Sequence, residues 1–141
     1  MKEKLLKYIK LKFKNKTFDV LYALLLAFAV RLFLVNFGTL QLDHGTFISW
    51  GTSLASEGLR TFYSGWSDYL PGYLYILWFL GKVNLLLPSF QTLLFKLPAI
   101  LADIATSYLI YKIVLKYKSR KTAIIAAIAY AFNPAIIANS T

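Results

Sequence analysis

The distribution of charge along the chain constrains it most. Lysine and arginine gather into two blocks that flank long apolar runs. Met1 to Lys16 holds seven lysines and Glu3, net +6; Lys112 to Thr122 holds Lys112, Lys116, Lys118, Arg120 and Lys121, net +5. Between them, Gly38 to Leu94 sets Asp43, Glu57 and Asp68 against Arg60 and Lys82, net −1. A total of +10 on 141 residues would ordinarily point to nucleic acid. Segregated beside apolar runs it points instead to a membrane surface, and no nucleic-acid partner is expected. Composition agrees, with 16% charged residues against about a quarter in a soluble domain. A mean hydropathy of +0.57 excludes a disordered chain and argues against a water-soluble globule.

Three stretches are long and apolar enough to cross a bilayer, which takes about 20 residues. They are residues 18–37, 95–115 and 123–138. Short loops rich in lysine and arginine stay cytoplasmic, so residues 1–16 and the loop 116–122 are both expected inside. An even number of crossings must then separate them, and residues 38–94 form an outer loop. Within it Leu70 to Pro88 is interrupted at Gly81-Lys82 and at Asn84. It is therefore expected to dip into, or lie along, the outer leaflet, with Tyr73, Tyr75, Trp78 and Phe79 at the interface. Phe47, Trp50, Leu54 and Leu59 keep near-helical spacing, which predicts a short amphipathic interfacial helix. The N-terminal apolar stretch is too long for a cleaved signal peptide, and no small-residue cleavage site follows it; it reads as a retained start-transfer helix. The expected fold class is all-α: a single membrane module of residues 1–141, with three full crossings and short helices on its outer side.

Familiar soluble chemistries are missing. One histidine and no cysteine cannot build a zinc site from the usual ligands, so no metal is expected. There is no glycine-rich phosphate loop and no serine elbow. Asn139-Ser140-Thr141 matches the glycosylation sequon, but three residues at a chain end are weak evidence. What remains is a set of charges in unusual places. Asp43 follows the first span by six residues and precedes Phe47 and Trp50. A carboxylate held at the rim of a membrane cavity can take the proton of an attacking hydroxyl; the plainer reading is a solvated loop aspartate. Asp68, just before Pro71, reads either as a second acidic site or as a helix N-cap. Arg31 lies about 9 Å below the end of its span, and Asp103 about 10 Å into a helix entering from the same side. Intramembrane charges usually face a bundle interior and pair, so Arg31 and Asp103 are expected to meet; Arg31 snorkelling outward or holding a lipid phosphate are the alternatives.

Several of these residues fall in a recognisable order. Asp43, Phe47 and Trp50 read as D-x3-F-x2-W; Gly58 and Tyr63 follow, then Asp68-Tyr69-Leu70-Pro71-Gly72-Tyr73-Leu74-Tyr75, Lys96-Leu97-Pro98-Ala99-Ile100-Leu101-Ala102-Asp103 and Tyr130-Ala131-Phe132-Asn133-Pro134. Over residues 18–141 the series resembles the N-terminal part of GT-C class membrane glycosyltransferases, in particular bacterial and archaeal mannosyltransferase-like proteins. That resemblance implies transfer of a sugar from a polyprenyl-phosphate carrier to an acceptor on the extracytoplasmic face, in a prokaryotic plasma membrane. It implies Asp43 as the base and Asp68 as a second acidic site. Leu70 stands where the family's D-Y-P-P has its first proline, which loosens the turn that places Asp68. Family members have many more spans, and a W-G-Q-x-D element commonly follows the asparagine-proline segment. The chain is therefore expected to be a truncated or split product, inactive alone, its remainder supplied by further spans or a partner chain.

The chemistry suits such a donor. A lipid-linked phosphate is a stable leaving group that needs no acid, so one base and one displacement suffice and the anomeric configuration inverts. Glycosidases, in contrast, need two cooperating carboxylates. No cofactor is expected. The leaving phosphate gains charge, so a cation should stabilise the transition state; Arg31, Arg60, Lys82 and Lys96 are the candidates, Lys96 also reading as a plain interface anchor. Two other classes compete: a non-catalytic membrane subunit or fragment, and a transporter or flippase component, favoured by intramembrane charges.

Overall fold

A computed structural model describes residues 18–37, 41–60, 62–64 and 70–141. The basic segment 1–16 and Asp68 lie outside them. Among the described residues six α-helices follow in order: α1 (Phe18–Leu34), α2 (Gln41–Glu57), α3 (Pro71–Leu86), α4 (Gln91–Tyr117), α5 (Arg120–Ala131) and α6 (Pro134–Ser140). Short 3-10 turns occupy Phe62–Ser64 and Pro88–Phe90, and no strand occurs among the described residues. The all-α expectation holds.

Local chemistry sets the boundaries. Gly58, at φ +87°, ends α2 in a conformation that side chains with a Cβ rarely adopt. Pro71 starts α3, where its missing N–H costs nothing; the N-cap is Leu70, in extended conformation and without a side-chain cap bond. Ser119 caps α5 by accepting from the Thr122 N–H at 3.2 Å.

Three expectations are refined. The stretch 38–94, expected to carry short interfacial or re-entrant helices, contains among the described residues two helices of 17 and 16 residues and the start of α4. Leu59 lies beyond the end of α2 and packs from the following turn, because Gly58 has already terminated the helix. Residues 123–138 do not form one straight helix. The chain breaks at Phe132-Asn133 and turns by 49° between α5 and α6, with Asn133 Oδ1 accepting from the Ala135 N–H at 2.9 Å.

Among the described residues one continuous helical stretch, Pro88–Tyr117, is long and apolar enough to cross a membrane, or two if the bent α5–α6 pair counts as one span. Only 22% of the apolar window in Pro88–Tyr117 is buried within the structure, so it is not a core helix wrapped by protein. Helix α1 is apolar over its 17 described residues, about 26 Å of rise.

The chain divides into two compact units. Among the described residues the first comprises 18–30 and 101–137, the second 31–37, 41–60, 62–64, 70–100 and 138–141. In the first, Val20, Leu24, Tyr111, Ala123 and Ala127 form the core. Buried Ala123, Ala127 and Ala131 recur every fourth residue on α5, a small-residue face that lets helices approach closely. Ser107 uses the proximity, donating from Oγ to the Ala127 carbonyl at 2.8 Å.

In the second unit, α2 packs on α3 around Leu54, Phe62, Leu74, Leu77, Leu80 and Phe95. A run of edge-to-face aromatic contacts crosses the helices: Tyr73 to Phe47 at 5.4 Å, Phe47 to Trp50 at 6.3 Å, Trp50 to Phe62 at 5.7 Å between centroids. The crossing point is glycine on both sides. A Cβ on Gly81 would land on the Gly51 carbonyl oxygen, and one on Gly51 would lie 2.5 Å from Phe95 Cε1. Two backbones and one phenyl ring thus share a space with no room for a methyl group.

Candidate functional site

That crossing positions a cavity in the second unit. Gly51 admits the Phe95 ring, which is 3% exposed, and seating Phe95 fixes the register of α4 at the next residue, Lys96. Two residues on, Pro98 interrupts the helical ladder, because it cannot donate to the Leu94 carbonyl. The cavity encloses about 190 Å³ between the first two turns of α2 (Asp43, His44, Phe47), Tyr73 of α3, Phe95, Lys96 and Ala99 of α4, and Asn139. At about 30 Å³ per water it holds a handful of waters, less than the ~300 Å³ at which drug-sized pockets begin. One sugar ring or one phosphate group is the right scale.

Its charges are unequally placed. Asp43 is exposed, whereas Lys96 is 8% exposed. No direct ion pair joins them among the described residues, but the Asp43 carboxylate is near enough to act electrostatically on the ammonium. His44 is as buried as Lys96, and its Nε2 has no hydrogen-bond partner among the described residues. Burial first, and the positive charge of Lys96 second, hold its imidazole below the ordinary pKa of 6.5. The cavity thus sets the side chains of Asp43 and Lys96 beside an imidazole biased toward its neutral form, framed by the aromatic rings of Phe47, Tyr73 and Phe95. A carboxylate at the mouth can accept a proton; a cation in the wall can hold an anion.

The His44 environment has a consequence for stability. An imidazole whose folded pKa is depressed binds its proton less readily folded than unfolded, so stability falls as pH drops below the unfolded value of about 6.5. Thermal unfolding in detergent from pH 8 to 5 should show a midpoint that declines on the acid side, and His44→Gln should flatten that decline. An unchanged acid slope in the variant would assign the effect to other groups.

Of the other sequence candidates, Arg31 is fully buried in the second unit and donates from Nε to Ser140 Oγ at 3.3 Å. Asp103, half-buried, belongs to the first unit. Arg60 and Lys82 are exposed, and neither they nor Arg31 line the Asp43 cavity. Lys96 alone of the four candidate cations does. Sequence reasoning missed His44, Phe95 and Asn139 among the lining residues. His44 carried no signal beyond its adjacency to Asp43, and Asn139 was weighed only as a glycosylation acceptor. Ser140 and Thr141 of that sequon are both buried. Among the described residues no cluster of three His, Asp or Glu side chains forms a metal site. The chain matches no family model, no curated protein and no solved structure.

Proposed function

We propose that the chain is the N-terminal module of an inverting glycosyltransferase. It would move a sugar from a polyprenyl-phosphate carrier to an acceptor on the extracytoplasmic face of a membrane. The observation that carries this reading is the convergence of Asp43 and Lys96 on one cavity of sugar-ring size. These residues were singled out for complementary roles and stand 53 positions apart in the chain. In this reading Asp43 accepts the acceptor hydroxyl's proton as that oxygen bonds to the anomeric carbon. The bond from that carbon to the phosphate oxygen breaks with its electron pair, and polyprenyl phosphate departs. The Lys96 ammonium faces the oxygen on which charge develops, a service worth most in a water-poor site. Orientation of donor and acceptor supplies much of the remaining rate. Asp68 is kept as a second acidic site, and multiple crossings as the setting. The exposed apolar stripe of α1 (Leu21, Tyr22, Leu25, Leu26 and Phe33) supports a lipid environment.

The test is direct. The full gene product, reconstituted in proteoliposomes with polyprenyl-phosphate hexoses, should release polyprenyl phosphate when a hydroxylated acceptor is present. The product should carry the inverted anomeric configuration by NMR. Retained configuration would remove the single-displacement reading, and release without any acceptor dependence would remove transfer altogether.

A further inference from the structure

The turn between α4 and α5 gathers charge that the glycosyl-transfer reading does not use. Lys112 and Lys116 are one helical turn apart on α4; Lys118, Arg120 and Lys121 follow within five residues, and no acidic residue occurs after Asp103. All but half-buried Arg120 are exposed. Beside them is an open recess of about 450 Å³ lined by Arg120, Lys121, Ile124 and Ile125. Its two halves differ in chemistry. The first turn of α5 offers a guanidinium and an ammonium, and the next turn offers two isoleucines, of which Ile125 is 56% exposed.

We propose that this recess binds the headgroup of an anionic phospholipid, with Arg120 and Lys121 on the phosphate and Ile124 and Ile125 against the glycerol and first acyl carbons. Guanidinium matches phosphate oxygens with a planar fork, and lysine adds a compact charge. Clustered basic residues at a helix end attract acidic lipid through the leaflet's surface potential. The isoleucines select among anions: a free phosphate leaves them bare to water, whereas a lipid covers them. The block thus does more than fix orientation, because an orienting role needs only net charge and no recess.

Native mass spectrometry of the detergent-solubilised chain, titrated with phosphatidylglycerol or phosphatidylcholine, tests the assignment. Phosphatidylglycerol should be retained in preference, and high salt should weaken that preference. Losing two charges in R120Q/K121Q should reduce it roughly thirtyfold, from the usual contribution of a surface charge, while R120K/K121R should keep most of it. Should the glutamine variant fail to fold, the salt dependence and the charge-conserving variant still decide. Equal retention of the two lipids by the wild type, or a preference that survives in R120Q/K121Q, overturns the proposal. Competition by inorganic phosphate or a short RNA as effective as that by phosphatidylglycerol does so too.

Discussion

Asp43→Asn in the full gene product is expected to abolish sugar transfer while leaving donor binding near wild type. Asparagine keeps the shape of the side chain and removes its basicity, so the loss should fall on the chemical step. Positioned general bases contribute about 10²–10⁴-fold, and kcat should drop by that order. Asp43 stands at the exposed mouth of its cavity, in the first turn of α2, where an acceptor would arrive. Lys96 lines the inner wall, where the donor phosphate would sit in the proposed reaction. The two variants should therefore differ in kind. Lys96→Gln removes a charge felt by the ground-state donor phosphate and more strongly by the leaving phosphate, so it should weaken donor binding and lower kcat together. Single-turnover transfer and equilibrium donor binding, measured on both variants, separate the cases. Near-wild-type turnover in Asp43→Asn would return Asp43 to the standing of a solvated aspartate.

Much of the architecture was legible because it is written in local chemistry. Apolar runs announce helices, and Pro71 marks a start by a mechanism that acts within a few residues, whereas the near-helical spacing of Phe47 to Leu59 hid the stop at Gly58. The break at Asn133-Pro134 was legible too, since an asparagine before proline favours a turn. The apolar run 123–138 reads as one unbroken span all the same, and the Asn133 side chain capping α6 marks where it breaks. Asp43 and Lys96 were each visible as charges out of place. Their convergence was not, because it depends on α2 meeting α3 at glycine and on Phe95 filling the space that Gly51 leaves. Neither condition has a period or a motif. Arg31 shows the same limit more plainly. Its hydrogen-bond partner Ser140 is 109 residues away, and only a folded chain brings the two together. His44 illustrates a third case: a solitary histidine says nothing until burial strips its solvation and a neighbouring ammonium acts on it.

Substitution at that glycine crossing is expected to produce the largest loss of stability in the molecule. In Gly81→Val the new Cβ meets the Gly51 carbonyl, a backbone atom that cannot rotate aside. The helices must then separate, and the core of Leu54, Leu74, Leu77 and Leu80 opens with them. Overpacking usually costs about 1–3 kcal/mol, and an obstruction by backbone belongs at or above the top of that range. Gly51→Ala should cost less. Its Cβ meets mainly the Phe95 ring, at 2.5 and 2.6 Å, and a ring edge can tilt where a peptide cannot, although the Leu77 carbonyl at 3.1 Å limits the relief. Since Phe95 precedes Lys96, that tilt should also disturb the cavity, so Gly51→Ala should lose donor affinity beyond its share of stability. Gly58→Ala has open space around it but sits at φ +87°, and should cost about 1–2 kcal/mol through backbone strain alone. Gly45→Ala is the internal control: nothing lies within 4 Å of its Cβ, it is in the body of α2, and it should stabilise by about 0.5–1 kcal/mol. Thermal unfolding followed by circular dichroism in one detergent ranks all four. The crossing predicts the order Gly81→Val, Gly51→Ala, Gly58→Ala, Gly45→Ala from most to least damaging. A Gly81→Val protein as stable as wild type would mean that α2 and α3 do not meet at these residues, and the cavity built on their crossing would lose its frame.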